Sequence, residues 1–274
     1  MTLKGKRILV TGVLTRHSIA FAVAAAALEQ GAEVLLTGHG RRRSLTERSA
    51  GQLPGTPEVL ELDVTRPPDF ERLRKEVGGR WDSLDGVLHA IAYASPEALG
   101  AFAEAPDESV LEALRVSAVS YRTLAIALAP LMEPSGSIVG LDFDAARAWP
   151  GYDWMGVAKA ALESVNRYLA HNLGTKGVRA NLIAAGPLRT PSGGFEGFAE
   201  IARAWAEVAP LGWDSTDAEP VAAAACFLFS DWSKAITGEI LHVDGGFHAM
   251  GLPASAAPHV TADSLGHAAS PDVI

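Results

Sequence analysis

Short strand-like apolar runs alternate with longer helical ones from residue 7 to residue 243, and this constrains the chain more than any other feature. Residues 7–11 read as a strand. Residues 18–30 read as a helix of almost only Ala, Val, Phe and Leu, with Gly31 as its stop. Strands are expected over 33–37, over 59–62 just before Asp63-Val64, and over 84–90, with a helix over 70–77 between the last two. A helix across 108–131, a strand over 137–141, a helix through Tyr152 and Lys159 to about Gly174, and a strand over 178–184 follow. A helix over 220–230 and a strand over 239–243 close the pattern. Regular alternation of this kind predicts an α/β fold: a doubly wound parallel sheet with helices on both faces and ligand at the carboxyl ends of the strands.

Nothing in the 274 residues marks a division into two domains, and 48% hydrophobic content is ample for one large core. A formal charge of -9 argues against a nucleic-acid-binding surface. Cys226 is the one cysteine, so no internal disulfide forms, which fits a reducing cytoplasm; its apolar setting makes it a buried structural thiol. No signal peptide is visible at the N-terminus, and no apolar run reaches the length of a membrane span. Residues 252–274 lack periodicity and read as a tail, mobile or laid across a neighbouring subunit. The eight histidines and the cysteine show no metal-ligand spacing, so no metal is expected, and His242 and His248 read as structural.

Two segments carry chemistry. The turn Thr11-Gly12-Val13-Leu14-Thr15-Arg16-His17-Ser18-Ile19 holds one glycine where a dinucleotide fingerprint has three. Gly12 permits a tight turn, Ser18 can cap the helix, and the N–H groups near Ser18-Ile19 favour a pyrophosphate; a plain βα turn is the alternative. The second segment is Tyr152-x6-Lys159. Seven residues are just under two helical turns, so phenol and ammonium share a face, about 10 Å apart along the axis. At the end of the second strand, Thr37-Gly38-His39-Gly40-Arg41-Arg42-Arg43 offers no acid for a ribose 2′-hydroxyl. The three arginines suit a 2′-phosphate or form a solvated run.

Taken in order, Gly12-x5-Ser18-Ile19-Ala20, Leu62-Asp63-Val64, Tyr152-x6-Lys159, Ala185-Gly186-Pro187-Leu188-Arg189-Thr190 and Asp244-Gly245-Gly246 resemble the enoyl-acyl-carrier-protein reductases. These are a divergent type of short-chain dehydrogenase/reductase. The actinobacterial form, to which the mycobacterial isoniazid target belongs, also has stretches like Gly140-Leu141-Asp142-Phe143-Asp144 and Trp154-Met155-x-x-Ala158-Lys159. The resemblance implies a Rossmann-type reductase domain over 1–251, with a substrate lid over about 188–210 and the tail beyond. It assigns Gly12, Val13, Ser18 and Ile19 to the pyrophosphate, Asp63 and Val64 to adenine with His39 beside it, and Ile91 and Ala92 to adenosine and ribose. Leu188 and Thr190 flank the nicotinamide. Lys159 binds the ribose and lowers the tyrosine pKa, Tyr152 is the donor to substrate oxygen, and Phe143 packs beside nicotinamide and substrate or is simply core. Tyr93 and Met155, with Tyr152, are the substrate-side candidates.

The resemblance further implies hydride transfer from NADH, slightly preferred, or NADPH to the β-carbon of a trans-2-enoyl thioester of acyl carrier protein or coenzyme A, by a cytoplasmic homotetramer. The chain departs from the pattern after the fourth strand, at His89-Ala90-Ile91-Ala92-Tyr93. Ala90 lacks a hydroxyl that would bind phosphate through water, a loss of roughly 1 kcal/mol, and Ala92 brings a methyl where glycine lets a ligand approach. Carbonyl-reducing relatives place Tyr four residues before Lys and Ser about 13 before that Tyr; here those positions hold Met155 and Asp142. A reductase of an activated C=C or C=N in a specialised pathway, and a cofactor-binding protein without turnover, are the alternatives.

Overall fold

The computed structural model describes residues 2–190 and 197–251. Seven strands form one parallel sheet: β1 (Arg7–Val10), β2 (Glu33–Gly38), β3 (Val59–Glu61), β4 (Gly86–His89), β5 (Ser137–Asp142), β6 (Arg179–Ala185) and β7 (Ile240–Val243). Their order is β3-β2-β1-β4-β5-β6-β7. The chain therefore winds outward from β1 to β3, then returns to lay β4 on the other side of β1. This reversal opens a crevice at the carboxyl ends of β1 and β4, the place where such sheets take their ligands.

The strands are short apolar runs because both faces of the sheet are covered. On one face α1 (Ile19–Glu29) packs on α8 (Glu219–Phe229) around Ile8, Val10, Val23, Ala27, Ala225 and Phe229. On the other, α3 (Pro67–Gly78), α5 (Ser120–Met132) and α6 (Asp153–Gly174) enclose Leu9, Leu73, Leu124, Leu128, Ile138 and Leu162. The remaining helices are α2 (Arg43–Ala50), α4 (Asp107–Leu114) and α7 (Phe198–Val208). The expected α/β sheet and its strand positions are present.

Three local expectations need correction. The single helix expected over 108–131 is two helices joined by a π-helical turn at Arg115–Val119. The widened turn carries two serines toward β4: Ser117 Oγ bonds both the N–H and the carbonyl of Tyr93, and Ser120 Oγ lies 2.7 Å from His89 Nε2. Helix α2 was not expected, because its sequence, Arg-Ser-Leu-Thr-Glu-Arg-Ser-Ala, has almost no apolar stripe; Thr46 ties it down by donating to the Val13 carbonyl at 2.7 Å. Finally, the sequence of the Pro220–Asp244 region, with Ala222–Ala225, Phe227 and Phe229, is apolar enough to suit packing against a second copy of the chain. Ala222, Ala225 and Phe229 instead point inward and are buried against α1.

Gly12 holds β1 against β4. Its φ is +83°, and a Cβ there would overlap the Ala90 carbonyl oxygen. Thr11 fastens the same junction: its hydroxyl donates to the Leu88 carbonyl at 2.9 Å and accepts from Ala90 N–H at 3.1 Å. Gly12→Ala should therefore cost about 2 kcal/mol or more in urea unfolding. Gly5→Ala, at φ +75° with open space around it, should cost only the backbone strain of about 1 kcal/mol. Equal losses in the two variants would mean that the β1–β4 approach is not what requires the glycine.

Candidate active site

The carboxyl ends of β1, β4, β5 and β6 surround a cavity of about 510 Å³. Its wall includes Ile19, Ala92, Tyr93, Phe143, Tyr152, Met155, Lys159, Leu188 and Thr190, so nine of the residues singled out in the sequence meet at one place. The others line up along the strand ends. Gly12 follows β1, His39 follows β2, Asp63 and Val64 follow β3, and Ile91 follows β4. His39 is exposed and its charge acts on Asp63 across the β2–β3 edge. Burial raises the Asp63 pKa, but the Thr65 hydroxyl and N–H, at 2.6 and 2.9 Å, hold the net value below the ordinary range. The Val13 side chain is spent in the core beside α1.

Ser18 occupies the cap position of α1 but does not cap it. Its hydroxyl turns back and accepts from the N–H groups of Leu14 and Thr15, both at 3.1 Å. The serine thus shapes the turn and leaves the first-turn N–H groups of the helix to an anion. The arginine run divides. Arg43 is engaged with Glu47, Glu61 and the Val59 carbonyl, Arg42 reaches the cavity wall, and Arg41 is exposed. Glu61, from β3, also accepts from Gly40 N–H at 2.9 Å. An acid therefore stands beside the end of β2 after all, supplied by a strand 21 residues further on.

Tyr152 and Lys159 flank the first two turns of α6. Lys159 is buried, and its ammonium donates to the Leu141 carbonyl at 2.7 Å. Burial lowers its pKa and the charge of Asp142 opposes that. Tyr152 is half-buried. Burial, then the charge of Asp142, push its phenol well above the usual value. Its ring meets Phe143 edge-on at 5.1 Å. Asp153, directly after it, sits at φ +36°, so the chain turns sharply into the helix there.

Phe143 joins an aromatic cluster with Trp149 and Trp205, and Phe247 stacks on Trp205 at 3.8 Å. Trp205 is almost wholly buried and donates from Nε1 to the Asp244 carbonyl at 2.9 Å. It anchors α7, whose Phe198 and Ile201 face the cavity. The sequence suggested a mobile lid over about 188–210; α7 within it packs along the cavity wall, and residues 191–196 of that expectation lie outside the described residues. Gly186 in the opposite wall passes under Trp213, 2.6 Å from where a Cβ would stand.

The sequence reading missed Asp142, Leu14, Leu99 and Ile201 in the wall. Only Asp142 carried a signal, through its spacing from Lys159. Among the described residues no three His, Cys, Asp or Glu side chains converge as metal ligands. His242 and His248 stack on each other at 3.9 Å, away from the cavity.

Comparison with known proteins gives the family. The family profile described as Enoyl-(Acyl carrier protein) reductase matches residues 12–248. The chain is 45% identical to an enoyl-acyl-carrier-protein reductase (NADH) of Mycolicibacterium smegmatis, over 89% of this chain and 96% of the relative. It is 47% identical to the enzyme of the same name from Mycobacterium avium, over 89% and 96%. A more distant relative, the enoyl-acyl-carrier-protein reductase (NADH) FabI of Aquifex aeolicus, is 39% identical over 91% and 94%.

Trp205→Ala should cost about 3 kcal/mol in thermal or urea unfolding, as expected for emptying a buried tryptophan site. It should also release α7 from the cavity wall. Hydrogen exchange over Phe198–Val208 reads this directly: wild-type protection in the variant would show that Trp205 does not anchor the helix.

Proposed function

This chain belongs to the enoyl-(acyl carrier protein) reductase family of nicotinamide-dependent oxidoreductases in fatty-acid elongation, and we propose residue roles for its site. The observation that carries them is the meeting of Tyr152, Lys159, Phe143 and Met155 with Ile19, Ala92, Leu188 and Thr190 around one cavity.

The residues fit a nicotinamide dinucleotide. Gly12 keeps the β1 turn close to β4, and the open N–H groups at the start of α1 suit a pyrophosphate. Lys159 uses one of its three donors on Leu141, leaving two for a ribose diol. The bound cofactor supplies the hydride that reduces the β-carbon of the enoyl thioester. Negative charge then collects on the thioester oxygen, where the Tyr152 hydroxyl donates. Lys159 holds the cofactor and, as a cation, favours negative charge nearby. Met155 and Phe143 present apolar surface to the acyl chain and exclude water. Acyl carrier protein is the proposed carrier of that chain.

NADH is the proposed cofactor. Two features of the β2 end support it: Arg43 is already paired, and the Glu61 carboxylate beside Gly40 repels a 2′-phosphate. Arg41 and Arg42 leave weak NADPH use open to measurement. A homotetramer is also part of the proposal. Leu111, Val119 and Ile126 are exposed apolar side chains on the α4–α5 arm, which suits a contact between copies. No helix among the described residues is long and apolar enough to cross a membrane.

Tyr152→Phe should lower kcat about 100-fold or more while NADH affinity, read by fluorescence titration, stays within about threefold. Lys159→Ala should weaken NADH binding about tenfold or more, the loss of a charged hydrogen bond. Equal binding losses in both would reject these roles. Glu61→Gln should raise the NADPH-to-NADH ratio of kcat/KM about fivefold, matching roughly 1 kcal/mol of repulsion near the surface. An unchanged ratio would place Glu61 too far from the ribose to matter.

A further inference from the structure

Asp142 ends β5 and faces the cavity between Tyr152 and Lys159. It is 5% exposed, and neither carboxyl oxygen has a hydrogen-bond partner. A carboxylate in that position gives up solvation with no hydrogen bond to replace it, whereas the neutral acid loses far less. The charged and titratable groups around it come from every neighbouring element: Lys159 and Glu163 of α6, Tyr121 of α5, Asp144 after β5, and Tyr152 before α6. His89 of β4 lies beyond Lys159 and stays neutral, its pKa held down to about 3 by burial and by that ammonium. Lys159 attracts the Asp142 carboxylate without touching it, since its short bond goes to Leu141. Glu163 and Asp144 repel it, and the Phe143 N–H favours it without reaching hydrogen-bond geometry.

Neither hydride transfer nor the donor role of Tyr152 uses this side chain, yet its charge bears on both. Ionised Asp142 raises the cost of negative charge on the Tyr152 oxygen. The enolate forms against the same oxygen, so it meets the same opposition. We propose that Asp142 is a protonation gate on this site: the neutral acid lets charge build on the thioester oxygen beside Tyr152, and the ionised acid opposes it. No bond to substrate is made or broken at Asp142, and the proton it releases goes to solvent. It acts through Tyr152 and is a positioning residue. The proposal rests on the reading of Tyr152 as donor to the enolate.

Burial, partly offset by Lys159, pushes the Asp142 carboxyl up to about 7 from an ordinary 3.8. Because the folded value is raised, its acid form stabilises the fold at low pH. That contribution is lost as pH rises from about 4 through about 7. The test compares wild type with Asp142→Asn, a neutral isostere, and with Asp142→Ser should the amide fail to fold. In the ligand-free protein, the variant's Tm should gain on wild type as pH is raised from about 5 to about 8. In steady-state assays with a crotonyl or octenoyl thioester, wild-type kcat should fall severalfold as pH rises through about 7 and level off above it. The variant's profile should be flat over that range. A Tm difference independent of pH, or an unchanged alkaline limb in both variants, overturns the gate. If instead Tyr152→Phe keeps full kcat while the Tm difference still grows with pH, Asp142 titrates as stated and the donor role of Tyr152 is what fails.

Discussion

The short bond between the Lys159 ammonium and the Leu141 carbonyl is the interaction on which the site depends. It joins the second turn of α6 to the last residues of β5, the point where helix and sheet must agree in position. A buried cation is costly unless it is paired, and this one has a single carbonyl and the distant charge of Asp142 to offset that cost. Leu162, Leu169 and Leu173 pack the body of α6 on the sheet, and this bond fixes the end next to Tyr152. Tyr152 sits just before that helix, with its ring edge-on to Phe143, the residue after β5. Cofactor binding and the placement of the phenol are thus two uses of one anchored helix.

A second constraint fixes the other half of the cavity. Gly12 and Ala90 are in backbone contact, and Thr11 bonds both sides of that contact. The π-helical turn between α4 and α5 then reaches the segment after β4 from behind. Ser117 holds Tyr93, and Ser120 holds His89. An ordinary α-helical turn would rotate these hydroxyls away, which gives the extra residue a use.

The parallel sheet and most strand limits were legible because parallel strands buried on both faces are short and apolar, and loops between them are not. The Tyr152–Lys159 pair was legible because helical spacing alone puts the two on one face. What escaped the sequence depends on contacts between distant residues. Arg43 looked free, yet Glu61, 18 residues away, claims it. Ser18 looked like a cap, but its hydroxyl found donors in the preceding turn. The apolar side of α8 suited contact with a second copy as well as with the chain's own core, because periodicity does not say which of the two a helix meets. Asp142 was reached by counting back from Lys159, but counting cannot show that both its oxygens lack partners.

The aromatic cluster explains why charges in this cavity carry such weight. Phe143, Trp149 and Trp205 wall the tyrosine side with apolar rings, and Phe247, just after β7, backs them. Rings in place of water lower the local dielectric, so a hydrogen bond from Tyr152 to a developing oxyanion is worth more than the same bond in solvent. The same dryness raises the cost of an ionised Asp142 and of a charged Lys159. One physical cause therefore strengthens the donor, suppresses the acid beside it and strains the cation that holds α6. A site built to stabilise an enolate in this way becomes sensitive to the protonation of any carboxyl left inside it, and among the described residues Asp142 is the carboxyl in that wall.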